Sequence, residues 1–224
     1  MRFKSQKALH ILLLVLSIPV SLFSVGFLFE CVIPYFMPYY YETMDVNQYG
    51  DFSVIRESVR KEYILSFFPK EISEDFSDVH YELHNCQIDS YGFEVYLEFT
   101  IDDKTTFDNY VSEATEGMFE QEFFFDKSFR EYVLVNAEKD FVYDSIMIHS
   151  PHEHEEEPGK LVYSIEYANI AKILVNNDEQ RIIYITLAVH DGGGSDTGFL
   201  GTYFDRFGID PKEYEEYTIQ KKKS

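Results

Sequence analysis

Tryptophan is absent from the chain, only two cysteines occur, and 19 basic residues stand against 40 acidic ones. Each shortage excludes something. Cys31 and Cys86 cannot build the disulfide framework of a small secreted scaffold, and both are expected to be unpaired. A formal net charge of -21, with basic clusters confined to Arg2, Lys4 and Lys7 and to Lys221, Lys222 and Lys223, repels nucleic acid and anionic headgroups, so no nucleic-acid partner is expected. The same field would draw cations, basic peptides or a basic partner surface, and it also serves solubility. Aromatic residues are plentiful at 17%, all Phe and Tyr, which argues for a packed core and against disorder.

What the chain does have is one long apolar run at its start. Ala8 to Leu28, with Phe29 beyond, carries no charge and follows directly on the basic tail. A run of about 20 residues rising about 1.5 Å each just spans a hydrocarbon core of about 30 Å, so a membrane helix is expected. The cations on the N-terminal flank place that side in the cytoplasm, because Glu30, Glu42 and Asp45 precede any basic residue on the other. Pro19 removes one backbone donor and is expected to kink the span. Ser24 and Gly26 would suit a signal-peptide cut, but apolar character continues through Phe29, which favours a retained anchor. A lipoprotein reading of Cys31 fails because Glu30 stands where a small residue is needed. The expected organisation is a cytoplasmic tail over 1–7, a transmembrane signal anchor over 8–30, an aromatic juxtamembrane collar and linker over 31–50, and an extracytoplasmic domain over 51–224. Its first partner is the lipid bilayer, met through residues 8–30 of a single-pass protein of the cell membrane.

Hydrophobic spacing predicts the domain. Val54, Ile55, Val59, Tyr63 and Ile64 recur at helical intervals, ending before Pro69. Val79, Tyr81 and Leu83 alternate as a strand whose phase is expected to slip at a bulge near Asn85, and Ser90 to Gly92 then turn into the clearest strand, Phe93 to Ile101. Phe107, Tyr110, Val111, Ala114 and Met118 predict an amphipathic helix, with Thr105 and Asp108 as a rough capping box. Strands are expected at Tyr132 to Val135, Phe141 to Ile148 and Leu161 to Tyr167, while Tyr167 to Leu174 fits either helix or strand. Asn176 to Asp178 form a turn, and Arg181 to His190, apolar on both faces, marks a strand covered on both sides. Phe199 to Phe207 and Pro211 to Tyr217 are expected to be short helical turns. The fold class is α+β: after the N-terminal transmembrane helix, a mainly antiparallel β-sheet packed against one longer helix and short C-terminal helices.

Several places invite a chemical reading. His149, His152, His154, Glu153 and Glu155 share a loop over His149 to Gly159, and such mixtures of imidazole and carboxylate take zinc or copper. The spacing matches no closed structural site, so a solvated acidic loop without a cofactor is the expectation, with weak binding of a divalent transition metal as the alternative. On a strand His80 and His84 are about 13 Å apart, so Glu82 could pair with only one of them and an exposed polar strand face is expected. Cys86, turned inward by the slip, is expected to be an inert thiol apart from His84. His190, Asp191, Gly192, Gly193, Gly194, Ser195 and Asp196 leave the buried strand as a glycine loop where backbone can approach a ligand. Ser195 is no nucleophile elbow, since Thr197 stands where the second glycine belongs, and no Gly-Lys-Ser/Thr phosphate loop follows. Together these readings make the chain a membrane-anchored extracytoplasmic recognition or interaction domain, met by an unknown protein or envelope partner, rather than an enzyme. The alternative is a metal-assisted enzyme or metal-binding protein using the histidine loop.

Overall fold

Alternating runs at residues 79–101 and the doubly apolar run at 181–190 become the middle of one antiparallel sheet. The computed structural model describes residues 40–55, 61–87, 90–123, 125–138, 141–153, 161–191 and 206–210, with backbone alone at 40, 61, 86–87, 90–91, 147–153, 161–167 and 189–191. They lie in a unit that begins at Tyr40. The expected anchor falls outside them, and among the described residues no helix is long and apolar enough to cross a membrane.

The strands are β1 (Tyr40–Thr43), β2 (Ser77–Gln87), β3 (Ser90–Thr100), β4 (Phe119–Glu122), β5 (Phe129–Val133), β6 (Val135–Asn136), β7 (Phe141–Val142), β8 (Asp144–Glu153), β9 (Leu161–Asn176) and β10 (Arg181–Asp191). The helices are α1 (Lys61–Leu65) and α2 (Lys104–Ala114). The 8-stranded sheet runs β1-β2-β3-β10-β9-β5-β4, with β8 also pairing β9, while β6 and β7 form a small ribbon of their own. Every pairing is antiparallel. The fold is thus mainly an antiparallel sheet with one longer and one short helix. Tyr40–Thr43, expected within the collar and linker, is an edge strand of the sheet.

Period-two alternation sends each strand's residues to two faces, and both faces carry a core. On the first, Phe93, Val95, Leu97 and Phe99 of β3 join Tyr81 and Leu83 of β2, Ile182 and Tyr184 of β10, and Ile173 and Val175 of β9. Phe107 of α2 and Ile64 and Leu65 of α1 belong to the same cluster, all of them buried. Helix α2 therefore contributes chiefly through Phe107, its one fully buried residue. Asp103, rather than the expected pair at Thr105 and Asp108, caps it, and its carboxylate accepts from the Thr106 N–H at 2.8 Å and from the Thr106 hydroxyl at 2.7 Å. The second face holds Ile183, Ile185 and Leu187 of β10 with Ala168, Ile170 and Leu174 of β9. Strand β10 is thus covered on both sides, as its composition predicts.

Three expectations change. The register of β2 on β3 runs unbroken from His80 opposite Glu98 to Gln87 opposite Tyr91, and it shifts between Ser77 and His80, where Asp78 has φ 51°. Asn85 is therefore no bulge: it stays in phase with Tyr81 and Leu83, buried, and its Nδ2 donates to the Val54 carbonyl at 2.7 Å. Ser90 to Gly92 lie within β3 rather than in the turn. His149 to Glu153, expected in a loop, continue β8 against β9. The turn after Asn176 falls where expected, closed by its side-chain oxygen accepting from the Asp178 and Glu179 N–H groups. Gln180 takes the left-handed conformation at φ 51°, held by its amide donating to the carbonyls of Ile101 and Asp102.

Candidate functional site

Where β1, β2 and β3 meet, the second face changes from apolar to ionisable. His84 stands opposite Glu42 on one side and Glu94 on the other, Glu82 opposite Tyr96, and His80 opposite Glu98. Side chains facing each other on paired strands interact directly, so the register alone gathers four glutamates and two histidines on one surface. The cation that answers them comes from far along the chain. Arg206, in the helical turn Arg206–Phe207, donates through Nη2 to Glu82 Oε2 and lies with its guanidinium carbon 3.6 Å from the centre of the Tyr96 ring. Its segment is held by apolar contacts: Phe207 packs edge-on against Phe123 at 5.6 Å, and Ile209 is buried in the second core.

Glu82 lies between the two imidazoles, 2.6 Å from His80 Nε2 and 3.6 Å from His84 Nε2. Strand spacing predicts a partnership with only one of them, but a carboxylate has two oxygens, and Glu82 turns Oε1 to His80 and Oε2 to His84. Its surface is not the exposed strand face expected, because Arg206 and the neighbouring strands leave Glu82 and His84 only 12% and 13% exposed. Burial pushes the Glu82 carboxyl up, but the hydrogen bond with His80 and the Arg206 charge outweigh it and hold it below the ordinary glutamate value. Glu94 behaves oppositely. It is wholly buried, and neither carboxylate oxygen has a hydrogen-bond partner among the described residues. Burial pushes it up to about 7 despite the opposing Arg206 charge, with Glu82 adding to the rise. The Tyr96 hydroxyl donates to Glu98 Oε2 at 2.6 Å, and burial and that bond raise its pKa. Nη1 of Arg206 also has no hydrogen-bond partner among the described residues. The arrangement is a cluster of largely buried carboxylates around an aromatic ring on which one guanidinium already lies.

The residues singled out from sequence lie elsewhere. His149 pairs with Ser164, His152 with Val162 and Glu153 with Leu161, while His190 pairs with Tyr91 and Tyr167, and Asp191 with Ser90. Strands β8 and β10 flank β9 and both run against it, so their C-terminal ends reach the same end of the sheet. Strand spacing and rise put the His149 and His190 backbones about 14 Å apart. His154, Glu155, Gly192, Gly193, Gly194, Ser195 and Asp196 lie outside the described residues. Among the described residues no group of three metal-ligating side chains is placed to hold an ion. No family model matches the chain, and comparisons with curated proteins and with solved structures find no match.

Sequence reasoning missed Glu94, Tyr96 and Arg206. Alternation put Glu94 on the face away from the first core, where a glutamate reads as solvated. Only a partner 124 positions away from Glu82 closes that surface, and no local pattern reports such a separation.

Proposed function

We propose that this is a membrane-anchored extracytoplasmic recognition domain whose ligand presents a cationic group, arginine-like for preference, to the Glu82–Glu94–Tyr96 surface. The observation that carries the reading is Glu94, a wholly buried carboxylate without a hydrogen-bond partner among the described residues, beside a guanidinium already lying on Tyr96. Arg206 is the chain's own example of the group that fits. A glutamate-bordered aromatic ring favours a guanidinium over an ammonium, because the planar cation can stack and donate at once. The net charge of -21 would speed the approach of a basic partner at low salt. In this reading the ligand's cation takes the place of Arg206.

The test uses the full chain in detergent, titrated calorimetrically with arginine amide and with a short arginine-containing peptide. Arg206→Ala should bind arginine amide more tightly than the wild type, by about tenfold, and adding Glu94→Gln to it should remove that gain. Equal binding by all three proteins would sink the reading. The same titration with zinc addresses the metal-assisted alternative, which requires saturable binding lost when His149, His152 and His154 become alanine.

A further inference from the structure

Among the described residues Lys172 is the one buried lysine, and it sits at a seam. The outer edge of β9 is shared: Lys172 to Asn176 pair with β5, and the stretch up to Ile170 pairs with β8. Ala171 is the junction, its carbonyl accepting from the Leu134 N–H at 2.9 Å and its N–H donating to the Tyr143 carbonyl at 3.2 Å. From this junction the Lys172 ammonium reaches Glu131 of β5 at 2.8 Å and Asp144, the first residue of β8, at 3.2 Å. The three side chains are 2%, 5% and 6% exposed. Their neighbours on the same face are apolar, since Glu131 stands opposite Leu174 and Asp144 opposite Ile170. Gln121 Nε2 joins the group, donating to Glu131 Oε1 at 2.7 Å and to Asp144 Oδ2 at 3.3 Å.

This is more than an ion pair needs. Buried charges are held against a large desolvation cost, and joining amine and acid as an amide removes the Lys172 and Asp144 charges from the site while the Glu131 carboxylate stays. The lysine nitrogen already touches Asp144 Oδ1, and the carboxyl carbon is one bond beyond, while Gln121 polarises the other oxygen. Reactants fixed at contact distance in a dry site have the high effective concentration that condensation requires. We propose that Lys172 and Asp144 become joined by an isopeptide bond, with Glu131 carrying the proton. The nitrogen attacks the Asp144 carboxyl carbon, the C–N bond forms and one C–O bond breaks. Of the ammonium's three protons, one stays on the amide nitrogen and two leave with the carboxyl oxygen as water. Glu131 takes a proton from the nitrogen and returns it to the departing oxygen, ending as it began. Nothing is oxidised or reduced, and no co-reactant enters. The product ties β8 to β9 and closes a loop across a separation of 28 positions.

Protease digestion of the full chain under denaturing conditions, followed by mass spectrometry, reads the bond directly. The expected result is a branched peptide containing Asp144 and Lys172, lighter by one water than its two arms. Glu131→Gln, which keeps the shape and the hydrogen bonding, should give the two arms as separate linear peptides. Asp144→Asn should give the same branched product by losing ammonia instead of water. A wild-type digest in which Lys172 and Asp144 are recovered on separate, unmodified peptides overturns the proposal. A branched peptide persisting undiminished in Glu131→Gln overturns the part assigned to Glu131.

Discussion

Glu94 couples folding to pH through a single buried carboxyl. Its folded value of about 7 lies above the ordinary 4.5, so across the interval between them the unfolded chain releases a proton that the folded chain keeps. Stability should therefore fall as pH rises through that window, by about 3 kcal/mol in all, and be independent of this group below it. Glu82, held below the ordinary value, acts in a different window: its contribution is present above that value and is lost as pH falls beneath it. Urea unfolding at pH 5 and pH 8 checks the first effect. The wild type should lose stability between the two, and Glu94→Gln should lose much less; parallel curves would remove Glu94 as the cause. Residues of this kind were the least legible in the sequence. Glu94 read as solvated because charged side chains are almost never fully buried without a partner, while Lys172 lay in a stretch that fits helix or strand, and its partners Glu131 and Asp144 sit on strands whose adjacency only the fold decides.

At the scale of elements, local patterns did better wherever one periodicity acted alone. Strand β3, the doubly covered β10 and helix α2 were all readable, since in each the apolar spacing belongs to a single element. Strand β9 was ambiguous because Asn169 and Lys172, both buried, interrupt its apolar alternation with polar residues that the fold places inside. His149 to Glu153 read as a loop because Pro151 and the charges around it are poor strand formers, yet pairing with β9 overrides that preference. Helix α2 offers the sharpest local test. Asp103→Ala should cost about 1 kcal/mol through loss of the cap, while Thr105→Ala should cost a few tenths at most. A chemical-denaturation pair of midpoints decides between them, and equal losses would return the cap to the position expected from sequence.

For the molecule as a whole, the borders of the sheet have a consequence of their own. Strands β1 and β4 are four residues long, β4 carries Glu120 and Glu122, and β8 departs from regular register twice, the second time around Pro151. Pro151 also has no N–H to offer a neighbouring chain. Short, charged or irregular borders deny a second copy the row of backbone groups that would let one sheet continue into the next. Copies bounded in this way can stand at high density without fusing into fibres. Restoring a regular apolar border by combining Glu122→Val with Pro151→Val should bring concentration-dependent oligomers into view by light scattering, where the wild type stays at constant mass. Crowding without polymerisation is thus written into the outline of the sheet.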